Sequence, residues 1–130
     1  MDPDELKYHK EHIWVKINGK KAIIGITNYA QEFLGNISYI DLPEAEMDVE
    51  ANTELAEIEA SKSSFFVVNP LSGTMVAVNE ELSETPEIMN EDPYGKGWIA
   101  VVKMRNNSEL NDLMDASEYE RYLEKEVKLK

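Results

Sequence analysis

The chain reads as mostly β with short helices, closed by one longer helix at its C-terminus. Three observations carry that reading. Short β-branched and aromatic runs bounded by turn residues recur between positions 13 and 104. Helical periodicity is brief in the interior and pronounced only at the end. No Gly/Ser-rich run divides the 130 residues, a length that suits one domain, 1–130, burying very roughly two thirds of its unfolded surface.

Taken in order, the apolar runs predict strands at 13–17, 21–26, 37–42, 54–60, 65–68, 74–78 and 98–104. Asn18-Gly19 between the first two predicts a tight hairpin, because a left-handed conformation costs glycine nothing and asparagine little. Short helices are predicted at 29–34, stopped by Gly35, and at 109–114. Ser117 and Glu120 have capping-box spacing, and Tyr119, Tyr122, Leu123 and Val127 follow at helical intervals. These predict a helix over about 116–128 with one face against the sheets.

Composition narrows the chemistry. With 42% hydrophobic and 30% charged residues the chain suits a soluble globule. The absence of cysteine excludes disulfides, thiolate zinc sites, iron–sulfur ligation and a cysteine nucleophile, so any redox chemistry needs a borrowed group. Apolar stretches such as 99–102 fall far short of the roughly 20 residues of a membrane span. The acidic start, Met1-Asp2-Pro3-Asp4-Glu5, lacks a signal-peptide apolar region, so a cytoplasmic location is expected. Thirteen basic against 26 acidic side chains leave a net charge of −13. That charge repels phosphate backbones and anionic lipid and makes a basic protein surface the better partner.

The acid is concentrated. Residues 41–59 carry Asp41, Glu44, Glu46, Asp48, Glu50, Glu54, Glu57 and Glu59 with no lysine or arginine, which reads as a solvated face or a docking surface. The spacing of a calcium loop is missing. His9 and His12 lack a third metal ligand, and there is no nucleophile elbow, P-loop or G-x-G-x-x-G, so a non-enzymatic role is expected.

Two predicted strands flank Ser61-Lys62-Ser63-Ser64, which places a lysine at a hairpin tip. Asn69-Pro70-Leu71-Ser72-Gly73 and a further strand follow at a fixed distance. Around this segment the chain resembles the biotinyl/lipoyl carriers, and more closely the glycine cleavage H-protein family. The matching residues are Leu6-Lys7-Tyr8, His12, Trp14-Val15-Lys16, Gly25-Ile26-Thr27, Ala30-Gln31, Leu34-Gly35 and Asp41-Leu42-Pro43. Beyond them come Glu59, Lys62, Pro70, Ser72-Gly73, Val78-Asn79-Glu80, Asn90-Glu91-Asp92-Pro93-Tyr94-Gly95 and Gly97-Trp98.

The resemblance implies a flattened β-barrel or sandwich and a carrier bearing lipoate in amide linkage on Lys62. Glu59 becomes an acidic determinant of attachment and Gly73 a turn residue that must lack a Cβ. Serines on both sides of Lys62, rather than methionines, argue against biotin. Implied partners are a lipoate-attaching enzyme (ligase, or octanoyltransferase with lipoyl synthase) and dihydrolipoyl dehydrogenase.

The family's pattern also fails in three places. Where its members use a glutamate, a histidine and an aspartate to line the cleft that shelters the loaded arm, this chain has Ile13, Tyr29 and Phe66. An ammonium docked there would lose its acceptors while still being desolvated. The expectation is therefore an apolar, aromatic arm pocket and a changed cargo. The leading refinement is a lipoate-binding protein of sulfur oxidation working with a heterodisulfide-reductase-like complex. The alternatives are a true glycine cleavage carrier between glycine decarboxylase and aminomethyltransferase, and an unmodified binding module.

Overall fold

Alternation along Ile13–Asn18 (β2) explains how the molecule is layered. Ile13 and Val15 enter one apolar cluster while Trp14, between them, enters a second on the opposite face. One sheet is thus covered on both sides. In this computed structural model the backbone is described for residues 6–129 and side chains for residues 6–126.

β2 pairs with Lys21–Ile26 (β3) from Ile13↔Ile26 to Asn18↔Lys21, so Gly19 and Lys20 form the two-residue turn. Gly19 takes φ +64°, the left-handed region that hairpins of this length require. Lys7–His9 (β1) precedes them, and Asp48–Val49 (β5), Gly73–Val78 (β8) and Ala100–Met104 (β9) complete a six-stranded sheet in the order β1-β2-β3-β9-β8-β5. Ile37–Asp41 (β4), Glu54–Ala60 (β6) and Ser64–Val68 (β7) form a three-stranded sheet in the order β4-β6-β7. All pairings are antiparallel.

The two sheets make an open sandwich around a core that includes Ile24, Ile26, Ile40, Ile58, Val67, Met75 and Val102. Asn28–Leu34 (α1) is capped by the Thr27 hydroxyl, which accepts from the Ala30 N–H, and is ended by Gly35 at φ +77°. Two short helices, Glu81–Glu84 (α2) and Ile88–Glu91 (α3), and two strands, β1 and β5, were not predicted. Segments of two to four residues carry too few positions for a period to show.

Three expectations are corrected. The helix predicted at 109–114 is a 3-10 segment, Asn107–Asp112, whose Glu109 carboxylate accepts from the Ser72 N–H and hydroxyl at 2.8 Å each. The last strand begins at Ala100 rather than 98, because the Asn79 amide takes up the Trp98 carbonyl at 2.8 Å. The C-terminal helix, Ala116–Leu129 (α4), is boxed by Asp115 and Glu118 rather than Ser117 and Glu120. The Glu118 N–H donates to Asp115 Oδ1 at 2.8 Å and the Asp115 N–H to Glu118 Oε1 at 3.0 Å. The reason lies in the preceding bridge, Tyr8↔Met114, which holds the chain extended up to 114 and lets the helix start at once.

α4 lies over the Trp14 side of the six-stranded sheet. Tyr119 stacks on Tyr8 with ring centroids 4.5 Å apart, joining Leu6 and Trp14 in the second cluster. Tyr122 and Leu123 pack against that cluster, and Val127 lies outside the residues whose side chains are described.

Candidate functional site

The β6–β7 hairpin pairs Glu59 with Ser64 and closes with the Ala60 N–H donating to the Ser63 carbonyl at 3.0 Å. Lys62 therefore stands at the tip, exposed together with Ser61, Ser63 and Ser64. Two backbone hydrogen bonds pin this tip to the segment that leaves α1. The Ser61 N–H donates to the Asn36 carbonyl at 2.9 Å and the Lys62 N–H to the Leu34 carbonyl at 3.1 Å. The Ser61 hydroxyl in turn accepts from the Asn36 N–H at 3.1 Å. The chain can lie this close because a Cβ on Gly35 would fall 2.6 Å from Ser61 Oγ.

Asn90 braces the same segment. Its Oδ1 accepts from the Ile37 N–H at 2.9 Å, and its Nδ2 donates to the Gly35 carbonyl at 2.8 Å and to Gln31 Oε1 at 3.0 Å. The amine is thus free to leave the surface while its backbone is fixed. An arm-bearing lysine needs both properties.

Beside the tip, a cleft of about 450 Å³ opens between α1, β7, α4 and the β1–β2 turn. Tyr29 and Phe33 form one wall and Phe65 and Phe66 the other, with Ser64 close to the lysine. The Tyr29 ring lies over the His12 imidazole, centroids 4.7 Å apart. Polar groups close the cleft: Glu11 and His12 from the turn and Glu126 from α4.

The protons in this corner are ordered by a buried chain. Tyr119 Oη sits 2.8 Å from Thr27 Oγ1 and 2.8 Å from His12 Nδ1. With His12 Nε2 lying 3.1 Å from a Glu126 carboxylate oxygen, the favoured arrangement has Tyr119 donating to Nδ1 and the imidazole proton on Nε2, facing the carboxylate. Burial pushes the Tyr119 phenol far above its ordinary range; the Thr27 hydrogen bond opposes this less strongly. Tyr122 is also raised, first by burial and then by the Glu126 charge.

The structure distributes the sequence-predicted residues unevenly. Tyr29 and Phe66 line the cleft, but Ile13 is 0% exposed and packs in the main core. Strand alternation turns Ile13 inward, and the turn before β2, where His12 takes φ 68°, presents His12 and Glu11 to the cleft instead. The expected apolar lining is accordingly corrected to an aromatic one with two carboxylates and an imidazole at one end. Glu59 is exposed on the hairpin, three residues before Lys62. Gly73 lies not in a turn but at the start of β8 in the other sheet, where a Cβ would land 1.9 Å from the Lys103 carbonyl oxygen. Its small size serves close strand approach.

Asn90, Glu126 and the cleft role of His12 escaped the sequence reading. Asn90 and His12 stood in motifs quoted without a role, and Glu126 follows Tyr122 at the i+4 spacing that shares a helix face. Both histidines are engaged in hydrogen bonding: His9 Nδ1 accepts from the Glu11 N–H at 3.0 Å and its Nε2 donates to Asn52 Oδ1 at 2.7 Å.

Comparison with known proteins converges on one family. Residues 6–126 match the family model described as glycine cleavage H-protein. A glycine cleavage system H protein of Staphylococcus carnosus is 45% identical over 121 residues, covering 93% of this chain and 96% of the relative. Glycine cleavage system H protein 4 of Aquifex aeolicus is 48% identical over 120 residues, covering 92% of this chain and 70% of the relative. A crystal structure of a glycine cleavage system H protein from Mycobacterium marinum superposes with a TM-score of 0.83 at 32% identity, covering 91% of this chain and 95% of that one. The chain belongs to the glycine cleavage H-protein family, non-catalytic carriers that hold lipoate covalently on a lysine.

Proposed function

We propose that Lys62 is the lipoylated residue and that the protein carries an aminomethyl group between glycine decarboxylase and aminomethyltransferase. The observation that carries this reading is the pairing of a rigidly pinned, exposed lysine with a cleft that holds two carboxylates and an imidazole. Such a cleft suits a cationic cargo, whereas the apolar pocket expected from Ile13, Tyr29 and Phe66 would have suited a neutral or sulfur-bearing one. The names of the relatives support the same pathway over sulfur oxidation with a heterodisulfide-reductase-like complex.

The residues present fit the cofactor. Small serines flank Lys62, Glu59 stands exposed beside it for a lipoate-attaching enzyme to read, and the cleft opens within reach of the tip. When attached, the group supplies a disulfide that opens on a substrate carbon and is restored by thiol–disulfide exchange at dihydrolipoyl dehydrogenase. The protein's own work is to hold the lysine clear of the surface and to offer a sheltered site for the cargo.

Intact mass after expression in a lipoate-competent host tests the attachment. The lipoyl increment is expected on the wild type and absent from Lys62→Arg. An unmodified wild type under saturating attaching enzyme overturns it. Glycine labelled at its methylene carbon, with glycine decarboxylase, tests the pathway: label on the lipoylated chain is expected, and its absence defeats the aminomethyl reading while leaving the carrier.

A further inference from the structure

Glu126 holds an unusual position in the cleft. Its Oε2 is buried and has no hydrogen-bond partner among the described residues, although His12 Nε2 lies 3.1 Å away without the alignment of a hydrogen bond. It is the one such side-chain atom among the described residues. With the imidazole beside it poorly aligned, this oxygen keeps lone-pair capacity for a cationic group entering the cleft. Glu11, the other carboxylate of the cleft, is exposed and solvated, so its charge is more strongly screened there.

The path from the lysine to this oxygen is short. Leu34, which accepts from the Lys62 N–H, and Phe33, in the cleft wall, are consecutive on α1. Tyr29, five residues back and roughly 7.5 Å along the helix axis, lies against His12, the neighbour of Glu126. Phe33 and Phe66 are 46% and 52% exposed, two of the largest apolar exposures among the described residues, and flank the route.

We propose that Glu126 of the C-terminal helix is the acceptor for the cargo's ammonium group in a cleft where Tyr29 and Phe66 supply aromatic walls. This inference rests on the aminomethyl reading and deepens it. A carbon that bears both nitrogen and sulfur comes apart in water to ammonium, formaldehyde and free thiol, and the neutral amine drives the cleavage because its lone pair expels the sulfur. A carboxylate that keeps the nitrogen protonated removes that lone pair from play. His12 is a positioning residue: its Nε2 lies 3.1 Å from Glu126 Oε2 and fixes where the carboxylate stands in the cleft.

Two measurements judge the role of Glu126 separately from the pathway. The first needs no lipoate. Methylammonium chloride is titrated into the unmodified chain while side-chain and amide NMR signals are followed, with methanol as the neutral probe of similar size. Shifts at Glu126, His12 and Phe66 are expected with methylammonium and not with methanol, with at least fivefold weaker binding in Glu126→Gln and partial recovery in Glu126→Asp. Equal methylammonium affinity in wild type and Glu126→Gln, or equal response to methanol, overturns the proposal. The second follows ammonia release from chain already loaded with labelled aminomethyl. Per molecule of loaded chain, Glu126→Gln is expected to speed release about tenfold at neutral pH, and an unchanged release rate counts against the proposal. Failure of the wild type to load at all would defeat the pathway reading, and the methylammonium titration would still decide the binding role.

Discussion

Asn90 shows how one side chain outside the hairpin holds the segment to which the Lys62 turn is pinned. Its three hydrogen bonds hold Gly35, Gln31 and Ile37, and the carbonyls of Leu34 and Asn36 in the same segment hold the Lys62 turn. Replacing Asn90 by alanine leaves the Ile37 N–H and the Gly35 carbonyl without their partner, which costs about 1–3 kcal/mol. Asn90→Ala is therefore expected to lower the midpoint of urea unfolding and to slow lipoylation, because the attaching enzyme meets a tip no longer held in one geometry. Measured together, the two effects separate the brace from a mere core contribution: a destabilised protein that is lipoylated at the wild-type rate would show that the tip needs no brace.

α4 owes its position to aromatic packing rather than to its own propensity. Tyr119 stacks on Tyr8 and bonds Thr27 and His12, which ties the helix to the β1–β2 corner and brings Glu126 to the cleft. The consequence for stability at high pH has a definite sign. Tyr94, Tyr119 and Tyr122 are all raised above their ordinary value of 10.0, chiefly by burial. Above pH 10 the unfolded chain releases these protons more readily than the folded one, so the native state binds more protons and stability falls as pH rises. Thermal midpoints are expected to be flat with respect to these groups below pH 10 and to decline above it. Tyr119→Phe, which keeps the ring but has no phenol to ionise, should decline less steeply. An identical alkaline slope in both proteins would remove Tyr119 from the account. The strands themselves were legible because β-branched runs alternate and end at turn residues. The box at Asp115 was not, since Ser117-x-x-Glu120 has the same form and only the Tyr8↔Met114 bridge decides between them.

The whole molecule is a strong anion, −13 over 130 residues. With Lys62 as the proposed attachment site, a partner approaches an acidic hairpin in which Glu57 and Glu59 sit on β6 beside Asp41 and Tyr39 of β4. Long-range attraction of this kind raises encounter rates and is screened within about 8–10 Å at ordinary ionic strength. For the reaction with glycine decarboxylase, kcat/KM is expected to fall on the order of tenfold between low and high salt, with kcat little changed. A salt-independent kcat/KM would assign the acid to solubility alone.

What the amino-acid order determined was the seven longer strands, the helix at the end, the missing thiols and the lysine at a hairpin tip, because each of these is a local pattern of period, turn chemistry or composition. The character of the cleft was decided elsewhere. Position 13 reads as a lost carboxylate, yet strand alternation buries it, and a carboxylate of the cleft arrives on Glu126, 113 residues later in the chain. No local pattern joins those two positions. They meet only because a stack of tyrosines docks the last helix against the corner from which the cleft opens.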